Sequence, residues 1–147
     1  MTESNEILKQ AGLRNTEARR KILDIFLETD EAMTIADLEK KVYLMFDKAT
    51  VYRTLHVFLQ NRIVVRIPNI HNVTLYALNQ VMLFEREKSG EHVYFICVHC
   101  DKTICMHDVN VPQLALPKGY QSVQTILSVK GICEDCKAIN TYYPTAS

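Results

Sequence analysis

The sequence predicts an α+β fold in two parts, a helical N-terminal half closed by a hairpin and a smaller C-terminal sheet half with little helix. Three observations carry this expectation. Apolar residues recur at helical spacing as far as Gln60, β-branched runs replace them from Ile63 onward, and two Cys-x-x-Cys pairs fall in the second part. Those pairs are Cys97-Val98-His99-Cys100 and Cys133-Glu134-Asp135-Cys136.

Glu3 to Ala11 has the composition of a short helix, which Gly12 ends. Asn15 and Thr16 offer capping oxygens ahead of Ile22, Leu23, Phe26 and Leu27, so a second helix is expected to about Glu28. In Thr34-Ile35-Ala36-Asp37 the threonine can cap a third helix and the acid can complete a capping box, with Ile35, Leu38, Val42 and Met45 as the buried stripe. Thr50 to Gln60 reads as a fourth helix, Val51, Leu55, Phe58 and Leu59 inward and Tyr52, Arg53 and His56 outward, ended by Asn61. The apolar runs Ile63 to Ile67 and Val73 to Leu78 flank Pro68-Asn69-Ile70-His71-Asn72, which is a hairpin signal. Helices followed by a two-stranded hairpin give the order of a winged helix-turn-helix. Gln80 to Glu91 is charged and contains Ser89-Gly90, the character of a hinge. The chain thus divides into residues 1–79, a hinge at 80–91, and residues 92–147. Strands are expected at Val93 to Ile96, Thr103 to Met106 and Gln121 to Val129, while Pro112 and Pro117 limit any helix between the last two to a turn or so.

At 147 residues, with 48% apolar and 23% charged side chains, the composition is that of a soluble globular protein of one domain or two small ones. The net charge of +0 conceals an uneven distribution. Lys48, Arg53, Arg62 and Arg66 occur without an intervening acid, and Arg14, Arg19, Arg20 and Lys21 form a second cluster broken only by Glu17. Such runs are usually solvated faces, so charge alone does not establish nucleic-acid binding. No apolar run approaches the roughly 18 residues of a membrane span, and a cytoplasmic location is expected, where thiols stay reduced. There is no Ser-His-Asp ordering and, with only 4 Gly, no phosphate-cradling loop, which argues against an enzyme acting on a small organic substrate.

Four thiols at this spacing can close a tetrahedral zinc site, because each pair offers two sulfurs to one ion. Two disulfides, or four unrelated buried thiols, are the alternatives. Disulfides suit secreted chains, so zinc is the expectation, one ion per subunit. A site filled by Cys97, Cys100, Cys133 and Cys136 leaves no position open to substrate, which makes its expected role structural.

Taken together, these segments resemble the ferric uptake regulator family of bacterial metal-responsive repressors. Gly12-Leu13-Arg14-Asn15-Thr16 with Arg19, Ile22 and Leu23 is similar to the opening of the family's DNA-binding domain. Ala49-Thr50-Val51-Tyr52-Arg53-Thr54-Leu55 resembles its recognition helix, and the cysteine pairs, with Gly131-Ile132 before the second, resemble its structural zinc site. The resemblance runs from about Leu8 to Lys137. It implies a homodimer whose C-terminal α/β domains pair and whose winged helices bind a palindromic operator in double-stranded DNA. From the residues themselves, a helix presenting Lys48, Thr50, Tyr52 and Arg53 near its N-terminal end can enter a major groove. Arg14, Arg19 and Arg20 would then clamp phosphates, which sets register and not sequence.

The resemblance also implies a regulatory metal site between the domains, built from His and acidic residues, and here the chain departs from the pattern. Asp30-Glu31-Ala32-Met33-Thr34 lacks the usual His, Ala77 and Cys105 stand where acids are expected, only His92 remains before the first cysteine pair, and Ile126 replaces a later His. A mixed set of His92, Cys105, His107 and His71 would suit zinc, with iron or manganese less well matched to a sulfur donor. The expectation is therefore a zinc-sensing repressor. Two alternatives stay open: a redox sensor acting through a cysteine, and a zinc-stapled DNA binder that has lost metal sensing.

Overall fold

A computed structural model of the chain describes residues 2–68, 73–79, 91–106, 109–122 and 125–139. Helix α1 (Glu3–Gln10) starts on Thr2, whose hydroxyl accepts from the Asn5 amide at 3.4 Å. It ends as expected at Gly12. The glycine takes φ +68°, its N–H donates to the Lys9 carbonyl at 3.0 Å, and the Leu13 N–H donates to the Leu8 carbonyl at 2.9 Å. That pair of bonds is a Schellman ending, and glycine adopts the left-handed backbone it needs without steric cost. Thr16 caps α2 (Glu17–Leu27) by accepting from the Arg19 amide at 3.3 Å. The capping box of α3 (Ile35–Lys41) is present in full: the Thr34 hydroxyl accepts from the Asp37 amide at 3.1 Å, and the Asp37 carboxylate accepts from the Thr34 amide at 3.0 Å.

Helix α4 (Lys48–Gln60) begins two residues earlier than the sequence suggests, because Asp47 is its cap. The carboxylate accepts from the Thr50 amide at 2.8 Å, and hydrogen bonding by the Thr50 hydroxyl together with that amide holds its pKa below the usual carboxylate range. At the other end Arg62 stands at φ +58°, and the Ile63 N–H reaches the Phe58 carbonyl at 2.9 Å, a second Schellman ending with arginine where glycine is usual.

One expectation about α3 is corrected. The helix stops at Lys41, Val42 is its C-cap, and Met45 is 51% exposed instead of completing the buried stripe. The cause is Leu44, whose φ of +68° turns the chain out of helical phase before Met45 is reached.

The hairpin is formed by β1 (Val64–Pro68) and β2 (Thr74–Leu78), antiparallel, with Val64 opposite Leu78 and Pro68 opposite Thr74. Its tip, including His71, lies outside the described residues. Leu8, Ile22, Leu23, Phe26, Leu38, Val51, Leu55 and Phe58 pack as one core, to which the wing contributes Val64, Tyr76 and Leu78. The wing's opposite face carries Ile67, Leu75 and Ala77 into a second cluster. Burial of β2 on both faces explains why residues 75 to 78 are apolar without alternation.

The expected hinge at residues 80–90 also lies outside the described residues, and Glu91 already belongs to β3 (Glu91–Cys97). Strands β4 (Thr103–Cys105) and β5 (Thr125–Gly131) flank β3 in the order β4-β3-β5, the first pair antiparallel and the second parallel. The last strand is displaced toward the C-terminus from its expected span of Gln121 to Val129. The described part of the crossover, residues 109–122, contains no helix, in keeping with Pro112 and Pro117. A turn closes it from Pro117 to Tyr120, with Gly119 at φ +93°. A short helix, α5 (Glu134–Ile139), begins inside the second cysteine pair, where the sequence reading placed none.

The two halves are joined by Asp30 to Met33. Met33 and Tyr76 exchange both backbone bonds, at 2.9 and 2.7 Å, while on the other side the Ala32 N–H donates to the Thr103 carbonyl at 2.7 Å and the Cys105 N–H to the Asp30 carbonyl at 3.0 Å. These four residues therefore lie between β2 and β4 as a strap. Among the described residues no helix is long and apolar enough to cross a membrane.

Leu44 is 88% exposed, so its side chain contributes little packing to offset its left-handed backbone. Leu44→Asn should raise stability by about 0.5–1 kcal/mol, since asparagine tolerates that conformation better. Denaturant melts of the two proteins would measure it, and an unchanged or lowered midpoint would show that the turn carries no strain.

Candidate metal centre and nucleic-acid interface

Parallel pairing sets Cys97, the last residue of β3, opposite Gly131, the last of β5, so both cysteine pairs leave the sheet at the same end. The turn after β3 folds back through Asp101 at φ +63°, with the Asp101 N–H on the Cys97 carbonyl at 2.9 Å and the Cys97 N–H on the Lys102 carbonyl at 2.9 Å. Across the sheet end, the Val98 N–H donates to the Gly131 carbonyl at 2.8 Å. A Cβ on Gly131 would lie 3.0 Å from the Phe95 ring, so the close approach of ring and backbone favours glycine here.

The sulfurs of Cys97, Cys100, Cys133 and Cys136 all lie within 4.8 Å of one another, and all four are free thiols. Cys100 Sγ and Cys133 Sγ are 3.8 Å apart. Zinc–sulfur bonds of about 2.3 Å in a tetrahedron give an edge of roughly 3.8 Å, so the donor set fits zinc. Backbone amides are aimed at the sulfurs as well: the Cys100 N–H lies 3.5 Å and the Cys133 N–H 3.4 Å from Cys97 Sγ. Burial works against a thiolate at Cys97, but the amides of Cys100, Cys133 and His99 outweigh it and bring the thiol down to about 6. Burial, with hydrogen bonds from the neighbouring thiols, pushes Cys136 up to about 12. Four thiolates this close repel one another, and a divalent cation among them removes that conflict. Phe95 and Ile132 pack on the buried sulfurs. Lys102 Nζ, 3.7 Å from Asp135, links the first turn to α5 across the surface.

Of the candidate regulatory set, only the Cys105 side chain lies among the described residues, where the one convergence of three or more such donors is the four cysteines. His71 and His107 lie outside them. His92 is in β3, paired with Ile126, and only its backbone is described. Cys105 lies opposite Tyr94 and is 8% exposed, packed with Ala32, Ile67, Leu75, Ala77 and Tyr94 in the cluster behind the wing. That setting suits a packed apolar thiol better than the accessible thiolate of a redox sensor. Burial pushes the Tyr94 phenol well above its ordinary range, with charge at Cys105 adding to the effect. On the same face of β4, the Thr103 hydroxyl is buried without a hydrogen-bond partner among the described residues.

Helix α4 presents a different chemistry. Val51, Thr54, Leu55 and Phe58 are buried, whereas Lys48 and Arg53 are exposed and Tyr52 is 55% exposed. Thr50 is half-buried, and the Arg53 guanidinium rests on its hydroxyl at 3.4 Å. Arg14 is exposed. Arg19 and Arg20 are half-buried and brace the turn before α2, Arg19 donating to the Arg14 carbonyl at 2.9 Å and Arg20 to the Asn15 side chain at 2.8 Å. Each guanidinium has five N–H donors, so these bonds leave others for phosphate. The sequence reading missed the exposed apolar strand β5, where Ile126, Leu127 and Val129 are 39%, 37% and 44% exposed on an edge of the sheet. Its apolar run was visible, but not that both its faces and one edge would lack cover among the described residues.

The ferric uptake regulator family profile matches residues 10–129. The ferric uptake regulation protein of Klebsiella pneumoniae is 33% identical over 151 residues, spanning 96% of this chain and 92% of that protein. Its counterpart in Neisseria meningitidis serogroup A is 33% identical over 141 residues, spanning 89% and 91%. Among solved structures, a zinc uptake regulator complexed with zinc and DNA shares the fold with TM-score 0.65 at 21% identity, covering 93% of this chain and 92% of that one. The ferric uptake regulator of Vibrio cholerae does so with TM-score 0.60 at 23% identity, covering 88% and 98%. With nearly the whole chain matched at this level, the protein belongs to the ferric uptake regulator family of transcriptional regulators.

Proposed function

We propose that this chain is a homodimeric DNA-binding repressor whose C-terminal platform is stapled by one zinc ion on Cys97, Cys100, Cys133 and Cys136. The observation that carries the DNA-binding half is the N-terminal turn of α4: its inner residues anchor the core while Lys48, Tyr52 and Arg53 face solvent from a helix fixed by the Asp47 cap. Held in this way, the basic face meets a groove without first having to order itself, with Arg53 on a base edge or phosphate, Lys48 on phosphate and the Tyr52 ring on sugar or a thymine methyl. Arg14, Arg19 and Arg20 supply backbone contacts from the adjoining turn. A protein of the same fold, a zinc uptake regulator complexed with zinc and DNA, supports the reading.

Bound at the knuckles, zinc supplies charge neutralisation and a crosslink. The chain's own groups do the rest: amides hold the Cys97 thiolate, Phe95 and Ile132 exclude water, and the two turns stay at one end of the sheet. Zinc dependence of DNA binding follows from this arrangement, because the staple keeps β3 and β5 together and β5 is the surface a second subunit would cover. Its exposed Ile126, Leu127 and Val129 on an open edge fit a self-complementary partner.

Arg53→Ala should weaken binding to operator fragments selected from random DNA by about tenfold or more while leaving the circular dichroism spectrum unchanged; wild-type affinity in a mobility-shift assay would remove Arg53 from the interface. Metal analysis should return one zinc per chain, and Cys133→Ser should lower it toward none and dissociate the dimer. A stable, zinc-free Cys133→Ser dimer would overturn the structural role. Val129→Asp places a charge on the open strand and should shift the sedimentation coefficient from dimer to monomer with zinc retained; an unshifted dimer would move the subunit contact elsewhere.

A further inference from the structure

The wing of this protein is covered on both faces. Val64, Tyr76 and Leu78 point into the helical core, and Ile67, Leu75 and Ala77 point away from it, into a cluster completed by Ala32 of the strap, Tyr94 of β3 and Cys105 of β4. Tyr94 is fully buried and is among the largest such side chains, so it fills the space between the wing and the C-terminal sheet. Backbone bonds close the same seam on two sides. The strap gives Met33 to Tyr76 of the wing and Ala32 and Asp30 to Thr103 and Cys105 of β4. Because neighbouring backbone groups of an extended segment point in opposite directions, one short strap can bond to both halves at once.

This is the region where the family resemblance calls for a regulatory metal, and the described side chains do not fit one. The cluster offers the Cys105 thiol and the Tyr94 phenol, with the Thr103 hydroxyl on the same strand face as Cys105, whereas zinc sites draw three or four donors from Cys, His and carboxylates. Ala32 and Ala77 contribute only methyl groups.

We propose that the strap and its apolar plug fix the winged helix against the C-terminal sheet, so that the seam stays closed without a second metal ion. The device is a property of the chain whether or not α4 meets DNA. Among the described residues, metal dependence is then confined to the knuckles. A buried apolar contact with four backbone bonds does the work that ligand coordination would otherwise do, and it does so at any concentration of free metal.

Hydrogen exchange on the full-length, one-zinc protein tests this without DNA. The amides to follow are those of Ala32, Met33, Tyr76 and Cys105, which make the seam bonds, with the Leu55 amide of α4 as an internal reference. Their exchange should change by less than about twofold when a further equivalent of Zn²⁺ or Mn²⁺ is added. Ala77→Glu, which places a carboxylate in the plug, should speed exchange at the four seam amides by about tenfold or more while Leu55 stays protected. If that variant does not fold, Leu75→Ala is read in its place, with the same direction expected. Added metal slowing the four amides tenfold would overturn the proposal, as would seam protection that survives disruption of the plug. A protein that passes both tests but binds no DNA refutes the repressor reading and leaves the seam intact.

Discussion

Between Asp30 and Met33 the backbone turns to both halves, Asp30 and Ala32 bonding to β4 and Met33 to β2, and the relation between the two halves depends on that division. Each buried N–H that finds a carbonyl contributes only about 1 kcal/mol net, but one left without a partner costs more, so the two halves resist separation as a set of linked bonds. The wing lies beside the strap and inherits the constraint. In a winged helix whose hairpin is solvated on one face, β2 would alternate apolar and polar residues; here residues 75 to 78 are all buried because helices cover one face and the Tyr94–Cys105 plug covers the other.

Away from this seam the chain separates its tasks by chemistry. Soft sulfur donors sit at the end of the C-terminal sheet, where two of its strands stop together and where Phe95 and Ile132 shield them. Basic and aromatic groups sit on the outer face of α4, where the Asp47 cap and the Schellman ending at Arg62 hold the helix at both ends. Apolar groups left uncovered sit on β5. The three places differ in chemistry and share no residue.

The helical half was legible because its signals are local. The Gly12 ending, the Thr34–Asp37 box and the inward set Val51, Leu55 and Phe58 each depend on residues within a turn or two of one another. The four cysteines were legible for a different reason, since two such pairs in one chain point to convergence of their sulfurs, which lie within 4.8 Å of one another. What escaped depends on distance along the chain or on backbone conformation. Met45 matches the apolar period, yet a single left-handed residue at Leu44 takes it out of the core. Cys105 drew attention as a donor through its place in the family pattern and its two-residue spacing from His107. Its packing partners among the described residues, Ala32, Leu75 and Ala77, come from other segments of the chain. The parallel partner of β3 and the strap's pairing with both sheets are likewise long-range, and no local pattern announces them.

The parallel pairing of β3 with β5 also bears on how the protein is made. Cys100 and Cys133 are 33 residues apart in sequence, and the second pair reaches the first only after the chain has crossed from one end of the sheet to the other and laid down β5. Loop closure of this length must precede any reward from the thiols. On a growing chain the helices and wing, whose contacts are nearer in sequence, can form early, while Cys97 and Cys100 wait as an open pair. A nascent or broken chain lacking β5 therefore holds half a site, and convergence of all four sulfurs marks the molecules that have completed their fold.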